Sequence, residues 1–302
     1  MGFLRVTMLP RRMRRPLALL GSGLLLLAAG CSANSPAPTP TTAGATASGT
    51  AASATGLTWV IDRAALADLG AAGMSNSQLS ELFNNAHTYI VGSASGTAES
   101  ANISAWTNPR SITVTDLRAA GFSRGAAAVL YDVEDWALTP KAQQRNPAEY
   151  EAEGHRLARA RGVVFIAAPA MDLVRVLDPN GSGTVAQRFL NLDLIGQAAR
   201  NADVVDIQAQ GLEGSSQYTS FVTAAAAQAK AANPDVKVLA GLSTNPSGRT
   251  ISAAVLARDA ESVRGVLDGY WLNIPSSGTA CPTCGTARPR VAVLWLEQLL
   301  GG

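Results

Sequence analysis

Val129-Leu130-Tyr131-Asp132-Val133-Glu134-Asp135-Trp136 opens as a buried strand and ends in three carboxylates and a tryptophan. Side chains two apart on a strand face the same way. Asp132 and Glu134 therefore leave one face together at the strand's exit. Their α-carbons stand about 6.5–7 Å apart, near enough for coupled titration. Asp135 and Trp136 fall in the turn that follows. An apolar strand ending in paired acids suits the carboxyl rim of a parallel barrel.

Working outward, strand-like apolar runs recur at Thr58–Asp62, Tyr89–Val91, Val163–Ala168, Val204–Ile207, Val236–Leu239 and Tyr270–Ile274, with a weaker one around Ile112. Helical spacing appears at Ser77–Ala86, Pro140–Arg161, Thr184–Arg200, Ser216–Ala232, Ile251–Val266 and Arg290–Leu300. Thr139 reads as an N-cap with Pro140 at the first helical position. Strand starts lie about 30–40 residues apart, the size of a βαβ unit. The runs are apolar on both faces, as in a parallel sheet covered by helices. No strand is followed by a glycine-rich phosphate turn, which sets an open doubly wound sheet behind a closed barrel. The expected fold is of the α/β class, a single (β/α)8 TIM-barrel domain over residues 57–302.

The residues before it read differently. The chain has 24 basic and 22 acidic side chains; Arg5, Arg11, Arg12, Arg14 and Arg15 precede Cys31 and no acid does. From Cys31 onward 19 basic groups face 22 acidic ones, a net −3. A nucleic-acid footprint is therefore not expected. Pro16–Gly30 is apolar or small, too short for a membrane span and built like a signal peptide. Residues 32–56 contain only Ser, Ala, Asn, Pro, Thr and Gly. They cannot bury enough apolar surface to offset their ordering entropy, so residues 31–56 read as a flexible linker.

Leu27-Ala28-Ala29-Gly30-Cys31-Ser32 resembles the lipobox of bacterial lipoproteins. The resemblance implies removal of residues 1–30, a thioether diacylglycerol on Cys31 and an acylated amine. It places the domain at the cell membrane, lipid-anchored and facing the extracytoplasmic side. An ordinary signal peptide with an incidental cysteine is the plainer alternative. Arg14-Arg15-Pro16-Leu17 leaves Sec or twin-arginine export open. Outside the cytoplasm, Cys281-Pro282-Thr283-Cys284 fits a small structural disulfide, since one pair supplies too few zinc ligands.

Polar residues gather at the strand exits: Asp62 on the first, Asp132, Glu134 and Asp135 on the fourth, Asp172 after the fifth. The sixth puts Asp206, Gln208 and Gln210 on one face, the seventh leads to Asn245, and the eighth carries Trp271 and Asn273. Acids, amides and tryptophans together suit a sugar. Carboxylates protonate or attack at the anomeric centre, amides bond hydroxyls and indoles pack on a pyranose face. Each has a structural reading beside it: a buried Asp that accepts backbone N–H groups, a core Trp, or an ion pair that imitates a site. No Gly-x-Ser-x-Gly elbow is present. No cofactor or metal is expected; a carboxylate metal site from Asp132, Glu134 and Asp206 is the third reading.

Asp132-Val133-Glu134 resembles the Asp-x-Glu that ends the fourth strand in family 18 chitinases and family 25 lysozymes. The resemblance implies Glu134 as proton donor and Asp132 as its assistant. It also gives Asp62 and Trp271 counterparts, an acid on the first strand and a sugar-site tryptophan on the last. Of the longer chitinase motif Asp-x-x-Asp-x-Asp-x-Glu, the first two acids are replaced by Ala127 and Leu130. The function expected is hydrolysis of a cell-wall or extracellular glycan. The alternative is a non-catalytic envelope barrel that binds glycan or protein.

Overall fold

In the computed structural model, residues 56–92, 110–114, 126–278 and 281–301 are described. The expected signal peptide, Cys31 and the expected linker apart from Gly56 lie outside them. Eight strands run β1 Thr58–Asp62, β2 Thr88–Val91, β3 Arg110–Val114, β4 Ala128–Val133, β5 Val164–Pro169, β6 Val204–Ile207, β7 Lys237–Ser243 and β8 Gly269–Asn273. They form a closed barrel in sequence order. Closure is a parallel pairing of β1 with β8, from Thr58 beside Gly269 to Ile61 beside Leu272. A Cβ on Gly269 would run into the Thr58 carbonyl, so glycine lets the first and last strands meet.

The helices are α1 Arg63–Ala71, α2 Asn76–Phe83, α3 Lys141–Arg145, α4 Pro147–Arg159, α5 Val174–Leu177, α6 Val185–Asn191, α7 Leu194–Ala199, α8 Tyr218–Ala232, α9 Ala253–Val263 and α10 Pro289–Gly301. Alternate strand residues divide between two cores. Val60, Leu130, Ile166, Ala168, Val204, Leu239 and Trp271 fill the barrel. Trp59, Ile61, Val129, Tyr131, Phe165, Val205 and Tyr270 face the helices. Two buried faces explain why the strands read as unbroken apolar runs. Trp59 meets Phe83, Tyr270 and Trp295 at ring-centroid distances of 5.2, 5.8 and 5.9 Å, binding α2 and α10 to the closing seam.

Two expected helices are broken. Pro140–Arg161 divides into α3 and α4 at Asn146, whose φ of −138° and ψ of 54° are not helical. Pro147 supplies no N–H and disfavours a helical residue before it. The proline at a first helical position is therefore Pro147, and Thr139 is not a cap. Thr184–Arg200 divides into α6 and α7 at Asp193, left-handed at φ 52°. Thr184 does cap α6, in a reciprocal capping box with Gln187.

Glu151 of α4 is 1 % exposed, and its Oε1 has no partner among the described residues. Burial pushes its carboxyl from 4.5 up to about 8. The unfolded chain releases this proton above 4.5 while the folded chain holds it, so this contribution to stability is lost as pH rises toward 8. Glu151→Gln keeps the shape without the proton. Thermal denaturation should show little change at the acid end of that window and a growing gain in Tm toward its alkaline end. A shift of equal size at every pH would contradict this origin.

Candidate active site

Strand parity brings the β4 acids to the barrel mouth. Asp132 lies on the inner side of β4 and Glu134 follows two residues on, both half-buried. Their carboxyls lie near enough to perturb each other's titration. Burial raises both above the ordinary carboxylate range, and the proximity of the two charges raises Glu134 further. A proton held between them is the consequence, and their titration belongs to the pair.

Gln208, just beyond β6, supports this pair. Its Nε2 donates to Asp132 Oδ1 at 2.6 Å and to the Ala168 carbonyl at 2.8 Å. Asp206 lies deeper, fully buried, and neither of its carboxylate oxygens has a partner among the described residues. Burial pushes its carboxyl well up, favouring the neutral form. Gln210 covers the end of β7 so closely that Gly241 has no room for a Cβ. Trp271 is 8 % exposed within the barrel core, and Asn273 follows two residues on at the strand's end. Among the described residues no three His, Cys, Asp or Glu side chains form a metal-binding group, so the carboxylate metal reading finds no ligand set.

Four expected contacts turn inward to the fold instead. Asp62 caps α1, accepting from the Ala64 N–H at 2.6 Å, because the strand passes straight into a helix. Asp135 pairs with Lys141 at 3.1 Å and Arg175 at 3.2 Å. Hydrogen bonding to Lys141 first, then Arg175, holds its carboxyl below the usual range. Asp172 accepts from the Asp135 N–H at 2.9 Å and pairs with Arg175 at 3.0 Å. Asn245 is fully buried and donates to the carbonyls of Cys284 and Thr286 at 2.7 and 3.3 Å. It anchors the loop closed by the Cys281–Cys284 disulfide.

Trp136 stays half-buried at the mouth, its Nε1 donating to Thr139 Oγ1 at 2.6 Å. Gln144 and Arg175, and the partners of Thr139, escape a reading of the sequence. Thr139-Pro140 looks like a helix start, and Arg175 meets Asp135 from 40 residues away.

No protein-family model matches the chain, and no curated protein matches its sequence at a significant level. Solved structures similar to it include a chitinase, a glycoside hydrolase domain and a glucosidase. A chitinase from Chromobacterium violaceum ATCC 12472 aligns at 12% identity over 82% of this chain and 99% of its own, with a TM-score of 0.45. The PgaB (BpsB) glycoside hydrolase domain from Bordetella bronchiseptica aligns at 10% identity over 72% and 94%, with a TM-score of 0.42. A glucosidase from Croceicoccus marinus aligns at 13% identity over 63% and 50%, with a TM-score of 0.37. Likenesses this distant say nothing of the chemistry at Glu134.

The Gln208 hydrogen bond favours the ionised form of Asp132. Gln208→Leu removes it and raises the folded-state proton affinity of Asp132 further. Stability is then lost over a wider pH range above the unfolded value of 3.8. Urea denaturation should show a larger loss for Gln208→Leu in mildly alkaline than in mildly acidic buffer. An equal loss in both would assign Gln208 to packing.

Proposed function

We propose that this chain is a lipid-anchored cell-surface protein whose barrel hydrolyses a cell-wall or extracellular glycan by carboxylate acid catalysis. One observation carries the catalytic part: an adjacent, half-buried pair of carboxyls, Asp132 and Glu134, with proton affinity raised at the mouth of the barrel. A general acid needs its proton at working pH, and burial beside a second carboxyl supplies that. The cations nearby are taken by Asp135, not Glu134. An arginine on Glu134 would have stripped its proton and disabled it as an acid.

In this reading Glu134 protonates the glycosidic oxygen as the bond to the anomeric carbon breaks. Asp132, two residues before it, governs the proton on Glu134 rather than attacking the sugar. The nucleophile is water or a group of the substrate. Gln208 orients Asp132, Gln210 and Asn273 offer hydroxyl partners, and Trp136 and Trp271 offer packing surface. Anchoring rests on Leu27–Ser32 and on the uncharged composition of residues 32–56.

A non-catalytic glycan-binding or protein-binding barrel is the second reading. It is favoured by the commitment of Asp62, Asp135, Asp172 and Asn245 to contacts within the fold. The two readings separate in an assay of wild type and Glu134→Gln on chitooligosaccharides, peptidoglycan fragments and β-glucan oligosaccharides. The enzyme reading expects turnover by wild type and a loss of about 10²–10⁴-fold in kcat for the variant. Wild type that binds a glycan and turns none over would establish the second reading.

A further inference from the structure

We propose that Thr139 is a positioning residue: its hydroxyl oxygen fastens the Trp136 indole and the Glu134 backbone to one atom. It thereby fixes the register between a sugar ring packed on Trp136 and the acid. The inference rests on the catalytic reading of Glu134 for its kinetic consequence and on geometry for the rest.

Thr139 is 5 % exposed, three residues beyond Trp136. Its Oγ1 accepts from Trp136 Nε1 at 2.6 Å and from the Glu134 N–H at 3.3 Å. Indole has a single donor. With that donor spent on Thr139, the ring cannot swing without breaking a part-buried hydrogen bond, and it offers a ligand only packing surface. That surface matches the C–H face of a pyranose rather than its hydroxyls.

The turn around it has little slack. Gln144, fully buried, donates from Nε2 to the carbonyls of Trp136 at 2.7 Å and Thr139 at 2.9 Å. Its Oε1 accepts from Lys141 Nζ at 2.8 Å. On the other side the Asp135 N–H is held by Asp172. Thr139 itself, Gln144 of α3 and Asp172 from the turn after β5 thus fasten a six-residue stretch, Glu134 to Thr139, which ends at the acid on one side.

Thr139→Val keeps the shape and deletes the hydroxyl; Thr139→Ser keeps the hydroxyl. Thr139→Ala reads the same loss should the valine fail to fold. The first readout is the indole N–H resonance of Trp136, identified among the five tryptophans by its absence in Trp136→Phe. The second is kcat and KM, measured separately on whichever oligosaccharide of the panel wild type hydrolyses. In Thr139→Val the resonance should move upfield and exchange faster with solvent. The ratio kcat/KM should fall about tenfold, with KM rising and kcat falling together. Thr139→Ser should restore both readouts. An unchanged resonance, unchanged kinetics, or a serine variant that behaves like the valine one would overturn the proposal. If wild type hydrolyses nothing, the catalytic reading fails separately, and the resonance alone decides whether Thr139 holds the ring.

Discussion

Parallel pairing of β1 with β8 turns a row of strands into a mouth. It depends on Gly269, where any side chain would strike the Thr58 carbonyl, and on the aromatic contacts that Trp59 makes along the same seam. Once the sheet is closed, every inner residue below the rim loses access to water. Apolar residues gain by this, and acids cannot escape it. Asp132, Glu134 and Asp206 therefore owe their raised proton affinity first to burial, and Asp132 and Glu134 owe a further part to neighbouring carboxyls. The shared proton at the mouth is a consequence of barrel closure.

The acids outside the barrel obey a different balance. Asp135 and Asp172 meet Lys141 and Arg175, whose side chains are 64% and 61% exposed. Ion pairs this wet contribute about 0–1 kcal/mol each. Their role is geometric, since Asp172 also takes the Asp135 N–H and so joins the turn after β5 to the turn after β4. Buried acids hold protons while rim acids hold the loop. Glu134 and Asp135 are neighbours in sequence and fall into different sets by which side of the rim they reach.

That separation also marks what a reader of the sequence can see. β1, β4 and β6 run over the expected residues because their apolar runs are unbroken and bounded by polar ones. β3 is faint because Arg110 and Ser111 open it. The parity of Asp132 and Glu134 is legible, since a strand leaves no choice of face. The fate of Asn245 is not, because its partners Cys284 and Thr286 lie about 40 residues away. Asp62 is a different case: its partner Ala64 is adjacent, and only the helix beginning at Arg63 was hidden by weak spacing. Thr139 was visible as a hydrogen-bonding residue before a proline. Its partners, though, lie behind it in the turn and not ahead in a helix.

Site-resolved carboxyl carbon titration by NMR on the wild-type barrel follows each of the two acids separately. Asp132 and Glu134 should titrate as a coupled pair, both above the ordinary values of 3.8 and 4.5, with one proton retained well into the neutral range. Independent titration of Glu134 near 4.5 would contradict it.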